Sequence, residues 1–180
     1  MKKENESENL SIHPTAFLSS TVSIQPSVRG SKIIIGAYSQ IYDFVVIKAV
    51  GGHGNIVIGE HCYINAHSTL YSGNGIQMGN YVLIAPGCIL VPTNHSYLSR
   101  ALPIRHQGFL PSKGGIVIED DVWIGANCTI LDGTLIKRGA IIAAGSVVEG
   151  KIGAFQLWGG TPAKYICDRP NDLPELENTP

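Results

Sequence analysis

Histidine changes charge near neutral pH without special surroundings, so a histidine at an accessible turn is a natural place to look for proton chemistry. His95 stands in Val91-Pro-Thr-Asn-His-Ser-Tyr97, at the head of a stretch from Asn94 to Gly115 that has no regular pattern. An imidazole there could take the proton from a weak nucleophile as it attacks, which is general-base work. No serine or cysteine is evidently paired with it, so a covalent intermediate is not implied and direct attack is expected. The stretch also carries Tyr97, Arg100, Arg105, His106 and Phe109, more side-chain variety than a plain linker needs. Cys62, Cys88 and Cys128 lack any C-x-x-C spacing and are expected to be free thiols serving as small hydrophobes. His13 and His61 fall at outward or corner positions. His53 lies in the glycine-rich bulge Lys48–Asn55, which a strand follows and which is read as a turn.

Around His95 the chain is regular. Steps of six from Ile118 land on Ile124, Ile130, Ile136, Ile142 and Val148. Stepping back from Leu90 gives Ile84 and Met78, and from Leu70 gives Ile64 and Ile58. Two shifts of phase lead to Ile47, Ile41 and Ile35, then to Ile24, Leu18 and Ile12. Four residues after the aliphatic the side chain is usually small or β-branched, as at Val28, Ser39, Val45, Cys62, Ser68, Val82, Cys88, Val122 and Cys128. Glycine follows the aliphatic directly at Gly36, Gly59, Gly79 and Gly125. This is neither the 3.6 period of a helix nor the alternation of a lone strand. It predicts short flat strands, three to a coil, wound into a triangular prism with the aliphatics stacked along its axis. The residue at each corner is expected to be small because the chain turns there.

The pattern resembles the hexapeptide-repeat family, whose fold is a left-handed parallel β-helix, an exception to the usual right-handed crossover. The expectation is an all-β chain: a flexible leader over 1–11, the β-helix over 12–153 with one long excursion loop at 94–115, and a short C-terminal tail over 154–180. Within that family, Ile76-Gln-Met-Gly-Asn-Tyr-Val-Leu-Ile-Ala-Pro-Gly-Cys-Ile-Leu-Val-Pro-Thr-Asn-His95 and Ile116-Val-Ile-Glu-Asp-Asp-Val-Trp-Ile-Gly-Ala-Asn-Cys128 resemble the maltose and galactoside O-acetyltransferases. Gly160-Thr-Pro-Ala-Lys164 matches that group's G-x-P-small-basic segment. The outline is also similar to O-acetyltransferases of surface-polysaccharide synthesis.

The resemblance implies an acetyl-CoA-dependent O-acetyltransferase acting on a hydroxyl of a sugar or glycan precursor, with His95 as general base. It implies Asn65 and Trp123 near the acceptor. It implies the backbone N–H of Ala126 as oxyanion donor, and Ala144, Lys151 and Lys164 toward the coenzyme. It also implies a homotrimer with sites between subunits; Asn65 and His95 begin on different prism faces, as a shared site requires. Two departures stand out. The family's N-terminal helical segment has no counterpart, which favours a larger or differently held glycan over a small free sugar. Its Thr-Lys after the last coil is Glu149-Gly150 here.

Rival readings are an N-acetyltransferase of an amino sugar, a zinc hydratase like the gamma carbonic anhydrases, and a non-catalytic scaffold. The zinc reading needs histidines a short step apart on one edge. His61 and His67 are six apart and diverge, so no metal is expected. Net charge of −1 with 15% charged residues gives no basic field for nucleic acid. The polar start Met1-Lys-Lys-Glu-Asn-Glu-Ser-Glu-Asn9 lacks the apolar core of a signal peptide. No run suits a membrane span, and a cytoplasmic location is expected.

Overall fold

The computed structural model describes residues 8–171. Residues 1–7 and 172–180, which hold much of the expected leader and the end of the tail, lie outside the described residues. Short strands form three sheets of seven, eight and six strands, in which every third strand of the chain is a neighbour except at the end of the eight-stranded sheet, where the last two strands are consecutive. The first face runs from Leu10–Ile12 through Ile56–Ile58 and Ile116–Ile118 to Lys151–Ile152. The second runs from Phe17–Leu18 through Tyr63–Ile64 and Trp123–Ile124 to Gln156–Gly160. The third runs from Ser23–Gln25 through Ile89–Val91 to Val147–Val148. From coil to coil the pairing is parallel and in register, so Ile58, Met78, Ile118 and Ile136 stand directly over one another. This is the prism of parallel coils that the repeat predicts, a left-handed parallel β-helix as the resemblance implies.

Isoleucine dominates because a β-branched side chain fits a flat, fully packed strand. The repeat aliphatics from Ile35 to Val148 are buried, most of them completely. Each such side chain contributes about 1.5–3 kcal/mol by leaving water. Ile12, Leu18 and Ile24 are less covered, and Ile12 keeps 38% exposure, because a first coil has a neighbour on one side.

Two expectations are corrected. Val28, in the series of small corner residues, is 98% exposed, because the chain leaves the prism between Gln25 and Ile33. The corner residues are also not small for the reason expected. Ser39, Cys62, Val82 and Cys128 are buried and fill the acute inner angles of the triangle. The sharp turn is made one residue earlier, by Tyr38, Phe44, His61, His67, Tyr81, Asp121 and Asn127 with φ between 55° and 62°. Those side chains point away from the axis, so they can be large. The glycines after the aliphatics answer to a third demand. A Cβ on Gly125 would lie 2.6 Å from the Ala144 amide, so the next coil can stack closely where a side chain is missing.

After Gly153 the chain does not leave the prism at once. Leu157 and Trp158 pair with Ile141 and Ile142 in the second face, and Trp158 packs on the core six residues after Ile152. The strand Ala163–Asp168 then folds back antiparallel on Gln156–Gly160 and covers the edge where a further coil would pair.

Candidate functional site

The corner between second and third faces collects most of the expected site residues. Asn65-Ala66-His67, Ala85-Pro86-Gly87, Gly125-Ala126-Asn127 and Ala143-Ala144-Gly145 are equivalent turns on successive coils. They are tied by Asn65 N–H to Ile84 O, Ala85 N–H to Ile124 O, Gly125 N–H to Ile142 O and Gly145 N–H to Ala126 O, at 2.8–3.0 Å. Coils repeat at ~4.8 Å, so Asn65, Ala126 and Ala144 form a column. The turn at Thr161-Pro162, whose peptide bond is cis, joins the top of it. The Gly160 N–H donates to Ser146 Oγ at 3.1 Å, which brings Lys164, paired with Gly159, to the same corner.

Asn65 donates through Nδ2 to Ile84 O at 2.9 Å, which fixes the amide plane and turns Oδ1 away from that carbonyl. With Tyr63, Leu83, Ala85, Pro86 and Trp123 it lines a shallow groove on the second face. Asn65 and Trp123, expected near the acceptor, both line the groove, as do Tyr63 and Leu83, which were not expected. The signal was available. Tyr63, Leu83 and Trp123 each precede a repeat aliphatic, so the strand alternation that buries one exposes the other, and the register stacks all three. The turn around Ala126 spends the N–H groups of Gly125 and Asn127 on Ile142 and Pro86 carbonyls. Among the described residues, the Ala126 N–H has no backbone acceptor.

His95 and Lys151 lie elsewhere. The excursion leaves the third face after Ile89–Val91 and rejoins the first face at Ile116. From Ala85 to Val91 the chain advances six residues, on the order of 20 Å at ~3.3 Å each, so His95 springs from the opposite corner to Asn65. Lys151 follows that same opposite corner and is exposed on the first face. One protomer therefore does not gather the whole set.

The excursion has its own order. Asn94 O accepts from Leu110 N–H at 2.8 Å and Ser96 N–H donates to Gly108 O at 3.0 Å, so the two limbs pinch with His95 opposite Phe109. The two rings pack with centroids 4.8 Å apart, and the imidazole stays exposed. Gln107 ties the tip, accepting from Ser99 N–H and donating to the Ser99 and Leu102 carbonyls. At the return, buried Asp132 accepts from Lys113 N–H, Gly115 N–H and Asn74 Nδ2 at 2.8–2.9 Å. Lys113 Nζ also pairs with Glu149 at the surface, and that carboxylate raises the ammonium's pKa.

Cys62, Cys88 and Cys128 are buried free thiols. The adjoining Cys128, together with burial, pushes the Cys88 thiol well above its ordinary range, and burial raises Cys62. Both stay protonated, which removes them from nucleophilic chemistry. His61 and His67 stand on different corners, stacked on Tyr81 and Phe44 with centroids 5.0 and 5.1 Å apart. Among the described residues, no group of three or more His, Cys, Asp or Glu is placed to hold a metal ion.

Residues 115–150 match the bacterial transferase hexapeptide family (six repeats). Over that stretch the chain is similar to this family's repeats. It is 29% identical over 153 residues to a protein of Mycobacterium tuberculosis named a probable acetyltransferase, covering 85% of this chain and 50% of that one. It is 30% identical over 120 residues to WbbJ of Escherichia coli K12, named as a candidate lipopolysaccharide biosynthesis O-acetyl transferase, covering 64% of this chain and 61% of that one. This chain thus spans less than two thirds of the length of either relative. In fold it is similar to AntD, an N-acyltransferase from Bacillus cereus solved with dTDP-4-amino-4,6-dideoxyglucose and coenzyme A. The TM-score is 0.75 at 23% identity, covering 90% of this chain and 84% of that one.

Proposed function

We propose that the protein is an acetyl-CoA-dependent O-acetyltransferase acting on a hydroxyl of a sugar or glycan precursor, with His95 as general base. The observation that carries this reading is the division of the candidate residues between two corners of the prism. Asn65, Trp123, Ala126, Ala144 and Lys164 share one corner and its adjoining face. His95 stands on an ordered excursion from another. A homotrimer in which the excursion of one subunit reaches the column of the next completes the set, and gives each site residues from two chains.

In that arrangement a thioester lies along the column, with its thioester carbonyl beside the Ala126 N–H. Lys164 and Lys151 are the cations available to coenzyme phosphates. The acceptor hydroxyl gives its proton to the His95 imidazole while its oxygen attacks the thioester carbon. The oxyanion of the tetrahedral intermediate is held by the Ala126 N–H. Collapse breaks the carbon–sulfur bond, and His95 returns the proton to the departing thiolate. No metal is required for these steps. The setting we assign to this chemistry is the cytoplasm. Among the described residues, no helix is long and apolar enough to cross a membrane.

The test is release of free CoA from acetyl-CoA with a panel of hydroxyl and amino sugar acceptors, repeated with His95→Ala. Loss of about 10²–10⁴-fold in rate is expected for a general base. Undiminished turnover would remove His95 from the mechanism. Turnover confined to amino sugars would turn the reading to N-acetylation.

A further inference from the structure

The groove on the second face is supported from below by a chain of polar side chains that the chemistry above does not use. Gln40 precedes Ile41 as Tyr63 precedes Ile64, and the parallel register sets Gln40 directly under Tyr63. Tyr42 occupies the turn position under Asn65. The Tyr42 hydroxyl donates to Gln40 Oε1 at 2.7 Å, and Gln40 Nε2 donates to the Tyr63 hydroxyl oxygen at 3.1 Å. The Tyr42 and Tyr63 rings are nearly parallel, 18° apart, with centroids at 6.3 Å. Tyr42 and Gln40 are half-buried, whereas Tyr63 keeps 36% exposure and lines the groove.

This relay has a direction. An amide offers an acceptor at one end and donors at the other. With Tyr42 donating to its oxygen, its nitrogen faces Tyr63. The Tyr63 oxygen therefore accepts from Gln40, and its own proton must point elsewhere. The side left open is the groove. There the phenol stands beside Asn65, whose Nδ2 is engaged by the Ile84 carbonyl, so the outward atom is the acceptor Oδ1. The floor of the groove thus presents one oriented donor and one oriented acceptor, between apolar walls of Leu83, Pro86 and Trp123.

We propose that Gln40 is a positioning residue that holds Tyr63 as an obligate donor, and that the groove selects an acceptor molecule presenting an oxygen lone pair beside a hydroxyl or amine proton. Vicinal oxygens of a pyranose fit that pattern, and a lone ammonium facing Tyr63 does not, having no lone pair to accept with. The inference rests on the proposed transferase reading, because it takes the groove for the acceptor's seat.

Gln40→Glu tests it. A carboxylate of the same shape accepts from both phenols, which turns the Tyr63 proton inward and leaves the groove without its donor. Gln40→Glu is expected to raise the KM for the acceptor about tenfold, the scale of one hydrogen bond. The KM for acetyl-CoA and the melting temperature should stay unchanged. Tyr63→Phe should give the same increase, and the double variant no further one. A wild-type KM in Gln40→Glu, or additive losses in the double variant, would overturn the relay while leaving the transferase reading intact.

A second measurement needs no turnover and so separates the two failures. Neutron diffraction from the free protein is expected to show a deuteron on Gln40 Nε2 directed at Tyr63, with the Tyr63 deuteron directed into the groove. A Tyr63 deuteron directed at Gln40 would refute the proposal, even if the enzyme proved to have another activity.

Discussion

The Ala126 N–H is a backbone donor that every substitution but proline leaves in place, and the fold itself suggests that proline fits there. Pro86 occupies the equivalent position one coil below, in the turn Ala85-Pro86-Gly87, so that turn accommodates a proline ring. Ala126→Pro is therefore expected to fold with a nearly unchanged melting temperature. If the amide serves the oxyanion, kcat should fall about 10²–10³-fold with little change in KM, as for loss of one oxyanion donor. Wild-type kcat in that variant would assign the oxyanion to another group. At this scale the sequence was partly legible. His95, Asn65, Trp123 and Ala126 stand in recognisable strings, whereas Tyr63 and Gln40 do not. Their roles depend on which residue lies one coil away, and that follows from the register rather than from any string. Phe109, against which the His95 ring rests, was visible as an aromatic in the excursion. Its pairing with His95 depends on where the two limbs pinch.

The excursion is held at its return by Asp132, whose buried carboxylate takes three hydrogen bonds from Lys113, Gly115 and Asn74. Asp132→Ala leaves those donors without partners inside the corner, at a cost of about 1–3 kcal/mol. Hydrogen exchange should then lose protection at Lys113 and Gly115, while the amides of Ile130 and Ile142 keep theirs. Uniform loss across the prism would mean that Asp132 supports the stack and not the excursion. The Lys113–Glu149 pair is exposed and screened by salt, so it adds little to that anchor. The coils themselves were legible because six-residue spacing has one simple physical solution. The excursion was legible as an interruption, but not its internal ties. Gln107 ties main-chain groups 5 and 8 residues back and Asp132 ties groups 17 and 19 residues back, and neither leaves a periodic trace.

For the whole molecule, assembly and acid sensitivity are the properties to measure. A homotrimer would have three times the 19.2 kDa chain mass, and light scattering coupled to gel filtration checks it. A monomer that retained full activity would exclude sites shared between chains. Asp43 accepts hydrogen bonds from Ser19 and Thr21 in the coil beneath it, and these hold its pKa below the ordinary aspartate range. A depressed carboxylate pKa stabilises the fold above the unfolded value, and that contribution disappears as pH falls through the folded value. Melting temperature should thus carry a component lost below about pH 3.8, and Asp43→Asn should abolish that component. An unchanged acid limb in the variant would free Asp43 of this role. The two ends of the prism also differ in kind. The reversed strand Ala163–Asp168 blocks parallel pairing at one end, while Leu10–Ile12 at the other retains the polarity of every coil above it. Among the described residues the stack is therefore directional: its second face ends in a reversed strand at one end, whereas the first coil offers only edges of the common polarity.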